Sequence, residues 1–344
     1  MESSHRPVQW GILATGGIAH SFARDLAEVP GARLAAVGSR RLESARSFAQ
    51  QYGADAAYGT YEELVADPEV EAVYIATPHA LHLENARTAF EAGKHVLCEK
   101  PLTLNLAEAE QMVALARRHD RFLMEAMWTA CHPVVRRLAD DLRAGRFGTP
   151  RHLHAELGFR VEAPPEDRML NPDLGAGALL DMGIYPLTVA HLLLGEAESL
   201  HAVGALSEGG IDLDVAITGR YPNGALATMT ASMTSWSSRA GALATDLGRI
   251  DIDDFHHPTR ATFTPYVGGS NDRDGRGEPV DIEGDEPVLG RGYGNEIAEV
   301  GRCLRAGLRE SPWVPHDQTV TLMRQMDDIR AQIGVRYPVD GRSA

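Results

Sequence analysis

Lysine is rare in this chain. Among its 33 lysines and arginines only Lys94 and Lys100 are lysine. Lys100 stands in KHVLCEKPLTLN, between Glu99 and Pro101, where the apolar run Val96-Leu97-Cys98 ends. Arginine stays charged on a bulky fork, whereas a buried lysine is compact and can titrate or relay a proton. A second polar set lies in GAGALLDMGIYP, residues 175–186. If helical, this stretch projects Asp181 and Tyr185 from one face, four residues apart. Pro186 then disturbs the helix, because its ring lacks an N–H and crowds the preceding turn. A carboxylate and a phenol held in an otherwise apolar helix call for a hydrogen-bonding or a chemical reason.

A third set is suited to a ligand rather than to protons. The run 8–14 leads into Thr15-Gly16-Gly17-Ile18-Ala19, and a helical pattern follows. Glycine at a strand–turn–helix junction lets a pyrophosphate approach the backbone and the helix N-terminus. The match to G-x-G-x-x-G/A is imperfect, with Ala14, Gly16 and Ala19 at its three positions. Gly11, Thr15, Gly16, Gly17 and Ile18 are the residues assigned to this turn. At the end of the second strand Ala36-Val37-Gly38 leads to Ser39-Arg40-Arg41, with no carboxylate until Glu43. An NAD site usually carries an acid there, an NADP site an arginine. A hydroxyl beside guanidinium groups suits a phosphate, so the expected cofactor is NADP(H).

The elements that must position these residues follow from periodicity. Strands are expected at 8–14, 33–38, 72–76, 95–98 and 122–126, with helices at 18–29, 42–52, 81–92 and 106–119. Their alternation predicts parallel βαβ units and a doubly wound Rossmann sheet. Ligands sit beyond the carboxyl ends of such strands, which selects Thr77, Pro78, His79 and His82, then Glu99 and Lys100, then Glu125 and Trp128. After residue 127 strands come in succession, at 152–160, 216–221, 225–232, 249–255 and 260–264, framed by helices at 133–144, 178–194, 295–306 and 320–333. That texture predicts an α+β domain with an open, mainly antiparallel sheet. The expected division is therefore a dinucleotide-binding domain over 1–127 and a second, α+β domain over 128–344. The stretch 268–294 is expected to be a long surface loop.

A formal charge of −15 argues against nucleic acid or an anionic membrane as partner. Cys98, Cys131 and Cys303 lie far apart without a C-x-x-C pair, which suggests a reducing compartment. No apolar signal core opens the chain and no run approaches the ~20 apolar residues of a membrane span. A cytoplasmic location is expected.

Together WGILATGGIA, SRR, YIATPHALH, AGKHVLCEKPLTLN, MEAMW and GALLDMGIYP resemble the glucose–fructose oxidoreductase / inositol dehydrogenase (Gfo/Idh/MocA) family. The tail is most similar to the subgroup of dimeric dihydrodiol dehydrogenases and NADP-dependent xylose 1-dehydrogenases. The resemblance covers nearly the whole chain. It implies a homo-oligomer, dimer or tetramer, formed through the second sheet, and a carbohydrate or diol substrate. It also implies catalytic roles for Lys100, Asp181 and Tyr185, a pocket-lining Trp128 and a substrate-side Arg151. Tyr185 is then the acid/base for a secondary alcohol, lactol or ketone. An ammonium beside a tyrosine favours its ionised form, which is the part the resemblance gives to Lys100. Departures from the family pattern fall at Ala14, Ala130 and Leu157.

Three rival readings are weaker. A non-catalytic NADP-binding sugar-pathway regulator could dispense with Lys100, Asp181 and Tyr185, yet all three are present. A short-chain-type dehydrogenase needs Tyr-x-x-x-Lys, and neither lysine has a tyrosine four residues upstream. For a metal enzyme, His152 and His154 share a strand face and His256-His257 are adjacent, but no acidic or cysteine partner stands at a supporting spacing, so no metal is expected. Lys94, unlike Lys100, is expected to tolerate replacement by arginine.

Overall fold

The computed structural model describes residues 6–164, 166–269 and 275–341. Strand β1 (Val8–Leu13) is buried along its whole length, as a central parallel strand covered on both faces must be. Around it run β2 (Ala32–Gly38), β3 (Ala56–Tyr58), β4 (Ala72–Ile75), β5 (His95–Glu99) and β6 (Leu123–Ala126). Their order is β3-β2-β1-β4-β5-β6 and every pairing is parallel, the doubly wound arrangement. The helices of this sheet are α1 (Gly17–Leu26), α2 (Leu42–Tyr52), α3 (Tyr61–Ala66), α4 (His82–Glu91) and α5 (Leu106–Arg118), and the short α6 (Trp128–Cys131) follows β6. Asn105 starts α5 by accepting the Glu108 N–H at 2.9 Å, a side-chain N-cap. Three elements escape the sequence reading. β3 is three residues long, α3 six and α6 four, too short for either periodicity to register.

The second unit opens with α7 (Pro133–Arg143) and β7 (Pro150–Gly158), and continues through α8 (Ile184–Leu194). The strands β8 (Ser199–Leu206), β9 (Asp212–Arg220), β10 (Leu226–Ser232), β11 (Gly241–Thr245), β12 (Gly248–Ile252), β13 (Ala261–Pro265) and β14 (Val280–Ile282) complete an eight-stranded sheet. Its order is β14-β13-β12-β11-β7-β10-β9-β8, antiparallel except for β10 beside β7. Leu153, Ala155 and Leu157 of β7 and Ala227, Met229 and Ala231 of β10 are buried, the period-2 signature of a sheet with one covered face. β8 and β11 were not expected. β8 is largely exposed, so its residues carry little apolar alternation. The expected loop 268–294 contains β14, and its residues 270–274 lie outside the described residues.

The boundary expected at 127/128 needs correction. One compact unit comprises residues 1–131 and 288–323, the other 132–287 and 324–344. The chain returns to the parallel-sheet unit through α9 (Tyr293–Arg305) and the first half of α10 (His316–Ile333). Polar contacts fix this return. Asp25 of α1 accepts the N–H groups of Arg291 and Tyr293 at 2.8 and 3.0 Å, and the Thr319 hydroxyl donates to Glu125 at 2.9 Å. Such long-range side-chain contacts leave no periodic trace.

The helical stretch Pro172–Leu194 is long and apolar enough to cross a membrane, contrary to the sequence reading, and 89% of its most apolar 18 residues is buried within the protein. That is the environment of a core helix.

Candidate active site

At the first βα turn Ala14 has φ 91°, a left-handed conformation that glycine adopts without cost and alanine does not. The turn therefore keeps the backbone of the first fingerprint glycine although its side chain has changed. Gly16 caps α1 with an extended backbone, and a Cβ added at Gly16 or Gly17 meets nothing within 4 Å. That open space at a helix N-terminus suits a pyrophosphate. Ile18 lies in the first turn of α1. Thr15 Oγ1 is 3.3 Å from Ser39 Oγ, which joins this turn to the end of β2. There Ser39 is buried while Arg40 and Arg41 are exposed, and Arg40 reaches the Tyr61 hydroxyl. Gly11 has a different task from the one assigned. It lies inside β1, where a Cβ would meet Val70 Cγ1 at 3.0 Å, so it permits packing and not phosphate approach. Ala14→Gly is expected to raise the unfolding free energy by roughly 0.5–1 kcal/mol, since relief of left-handed strain exceeds glycine's added chain entropy. Denaturant unfolding measures this, and a lower midpoint would contradict it.

Beyond β4 and β5 the strand-end residues are tied to one another. His82 is fully buried, with Nε2 2.9 Å from Thr77 O and Nδ1 3.1 Å from Pro101 O. Both ring nitrogens face backbone carbonyls, so His82 holds two loops together. Burial lowers its pKa, with the Lys100 charge adding to the effect. Asn85 donates to Thr77 Oγ1 at 3.0 Å, and Pro78 precedes the turn His79–Leu81. The Glu99 carboxylate accepts from the Tyr74 hydroxyl and, at 3.2 Å, from the Lys100 N–H. The Lys100–Pro101 peptide is cis. Burial and the charges of Glu99 and Glu296 keep Tyr74 protonated well above the usual range.

Lys94 corrects another expectation. Its Nζ is buried and donates to Asp67 O and Val70 O, each at 2.7 Å. A longer, forked guanidinium does not fit that clasp. Neither lysine of the chain is thus an ordinary surface cation.

Glu125 is fully enclosed beneath these loops. It accepts from Leu102 N–H and the Thr319 hydroxyl, both at 2.9 Å. Burial raises its pKa from 4.5 to about 7, against the opposing pull of those hydrogen bonds and of Lys100. Folded Glu125 therefore holds its proton more tightly than the unfolded side chain does. Its contribution to stability is full below about 4.5 and lost as pH rises through about 7. Glu125→Gln is expected to flatten the pH dependence of unfolding in that window, read as the difference from the parent protein. Identical pH profiles would contradict the assignment.

In the antiparallel-sheet unit, a π-helical turn, Leu179–Gly183, precedes α8. The Ile184 N–H bonds Leu179 O, an i→i−5 step that widens the helix just before Pro186, whose missing N–H cannot continue the ordinary ladder. Asp181 and Tyr185 are both buried on this bend. Asp181 Oδ1 accepts from Arg168 Nη1 at 3.1 Å. The Tyr185 ring meets His256 edge-on, centroids 5.2 Å apart. Asp212 caps the bend by accepting the Leu179 N–H at 2.6 Å, and burial raises its pKa to about 7. Arg151 is elsewhere engaged: it is exposed at the start of β7 and pairs with Asp246 at 3.4 Å. The arginine that meets Asp181 is Arg168.

Trp128 lies in the parallel-sheet unit and stacks on Tyr293 with centroids 4.5 Å apart and planes 3° from parallel. Ala130 and Leu157 are both buried. The sequence reading missed Tyr74, Tyr293 and Glu296. Glu296 is 0% exposed, and burial with the charges of Glu99 and Asp25 pushes its pKa well above the usual carboxylate range. A carboxylate inside an amphipathic helix was the only available signal, and most such residues are solvated.

A doubly wound parallel sheet with a fingerprint turn, followed by an open antiparallel sheet, defines a dinucleotide-binding oxidoreductase architecture. Residues 8–127 match the oxidoreductase family with NAD-binding Rossmann fold, GFO/IDH/MocA, and residues 135–251 match the GFO/IDH/MocA C-terminal domain. The chain belongs to this family. It is 35% identical to mouse trans-1,2-dihydrobenzene-1,2-diol dehydrogenase over 97% of its own length and 99% of the relative's. It is 36% identical to the D-xylose 1-dehydrogenase (NADP(+)) of Hypocrea jecorina, over 96% and 93%. Among solved structures, aldose-aldose oxidoreductase from Caulobacter crescentus, complexed with glycerol, matches with a TM-score of 0.84 at 25% identity, over 98% of this chain and 99% of that one. KijD10, a 3-ketoreductase from Actinomadura kijaniata in complex with NADP and TDP-benzene, matches with a TM-score of 0.82 at 26% identity, over 95% and 98%.

Proposed function

We propose that this protein is an NADP(H)-dependent oxidoreductase that transfers a hydride between nicotinamide and a secondary alcohol, lactol or ketone of a sugar, polyol or cyclic diol. The observation that carries the reading is the pairing of an open glycine turn at α1 with Ser39, Arg40 and Arg41 at the end of β2. The dihydrodiol, xylose and aldose specificities named for the relatives set the substrate class. The nicotinamide, when bound, supplies the hydride acceptor or donor. In this reading Tyr185 takes up or returns the hydroxyl proton. Lys100 supplies a compact positive charge at the β5 end. Asp181, held by Arg168, orients the substrate hydroxyl.

Dissociation constants for both cofactors test the reading. NADP(H) should bind more tightly than NAD(H). Arg40→Ala with Arg41→Ala should weaken NADP(H) about 10–100-fold, as expected when charge-assisted hydrogen bonds worth ~1.5–3 kcal/mol are lost, with little change for NAD(H). Tighter NAD(H) binding by the parent protein would refute the preference. The proposed location is the cytoplasm, in keeping with three buried, unbridged cysteines. The proposed assembly is a homo-oligomer through the open sheet, which exposes Val203 on β8 and Leu226 on β10; sedimentation as a monomer would exclude it.

A further inference from the structure

The turn after β12 gathers donors that adjacency in sequence did not reveal. Asp254 curls back so that its Oδ1 lies 2.7 Å from His256 Nδ1 and its Oδ2 3.4 Å from His257 Nε2. One ligand atom from each residue falls within 4.8 Å of the other two. The acidic partner that the two histidines lacked in the sequence reading is therefore Asp254, two residues upstream.

Two imidazole nitrogens and one carboxylate oxygen form a donor set for borderline divalent ions such as Zn2+, Co2+ and Ni2+. Bonds of ~2.0–2.1 Å to one tetrahedral ion set the donors about 3.4 Å apart. The two carboxylate–imidazole separations, 2.7 and 3.4 Å, lie around that value, and the three donors stay within 4.8 Å of one another. Three protein ligands leave a fourth position open for water. His256 is buried at 9% exposure, while Asp254 and His257 are partly exposed and offer a route in. Arg239 lies 3.3 Å from Asp254 Oδ2 and is the competitor an ion has to displace; its side chain is 43% exposed and free to turn into solvent.

We propose that Asp254, His256 and His257 form a binding site for one divalent transition-metal ion of the zinc class. The site adjoins Tyr185, because the His256 ring packs against it. The proposal stands apart from the oxidoreductase reading, since it is tested by binding alone.

The test uses the untagged full chain after chelator treatment, titrated with Co2+ while its visible d–d absorption is followed, and with Zn2+ by calorimetry. Saturation at one ion per chain is expected, with a Co2+ spectrum typical of four-coordinate nitrogen and oxygen ligation. Asp254→Asn and His257→Ala should each weaken binding about tenfold or more. His154→Ala, on exposed β7, should leave it unchanged. Absence of saturable binding would overturn the proposal, as would affinity unaffected by both site variants or lost with His154→Ala.

Discussion

Tyr185→Phe is expected to lower turnover about 100-fold or more, the usual scale for loss of a positioned acid or base, while NADP(H) binding stays nearly intact. The two outcomes separate because Tyr185 belongs to the antiparallel-sheet unit, whereas the glycine turn and Arg40 belong to the parallel-sheet unit. The substitution removes one hydroxyl and keeps the ring, so the edge-on packing on His256 survives. Turnover at the parent level would remove Tyr185 from the mechanism.

Lys100→Arg is expected to preserve charge and fold and to lose most activity, at least about tenfold in kcat. The difference between the two side chains is one of shape. Arginine presents a broad planar fork that does not give up its proton, whereas lysine presents a compact ammonium. The surroundings of Lys100 are fixed by the Glu99 carboxylate, which is held by Tyr74, and by the loop that His82 ties down. The Lys100 charge also restrains the rise in Glu125 pKa, so an arginine that holds the charge in place should leave the Glu125 titration as it is. Near-normal kcat in this variant would reduce Lys100 to a charge holder.

The parallel sheet was legible because its strands are unbroken apolar runs separated by helices of ordinary length. Only β3, α3 and α6, too short to show a period, were lost. The cofactor turn was legible apart from Gly11, whose task is to let Val70 and Leu64 pack on β1. At Ala14 the missing glycine looked like a weakness, yet its backbone conformation is that of the glycine it replaced. What stayed hidden was set by contacts distant in sequence. The return of residues 288–323 to the first unit depends on Asp25 and Glu125, and the pairing of Arg168 with Asp181 left no mark in the sequence. Lys94 was misjudged for the same reason: its two carbonyl partners lie 24 and 27 residues away.

The central claim is hydride transfer to and from NADP(H). The most direct measurement follows the near-ultraviolet absorbance of NADPH while the protein is offered a panel of aldoses, keto sugars, polyols and cyclic trans-diols, with NADP+ or NADPH in turn. The account predicts turnover with at least one member of the panel, and its loss in Tyr185→Phe. No NADPH formed or consumed across the whole panel, by protein that still binds NADP(H), would contradict it.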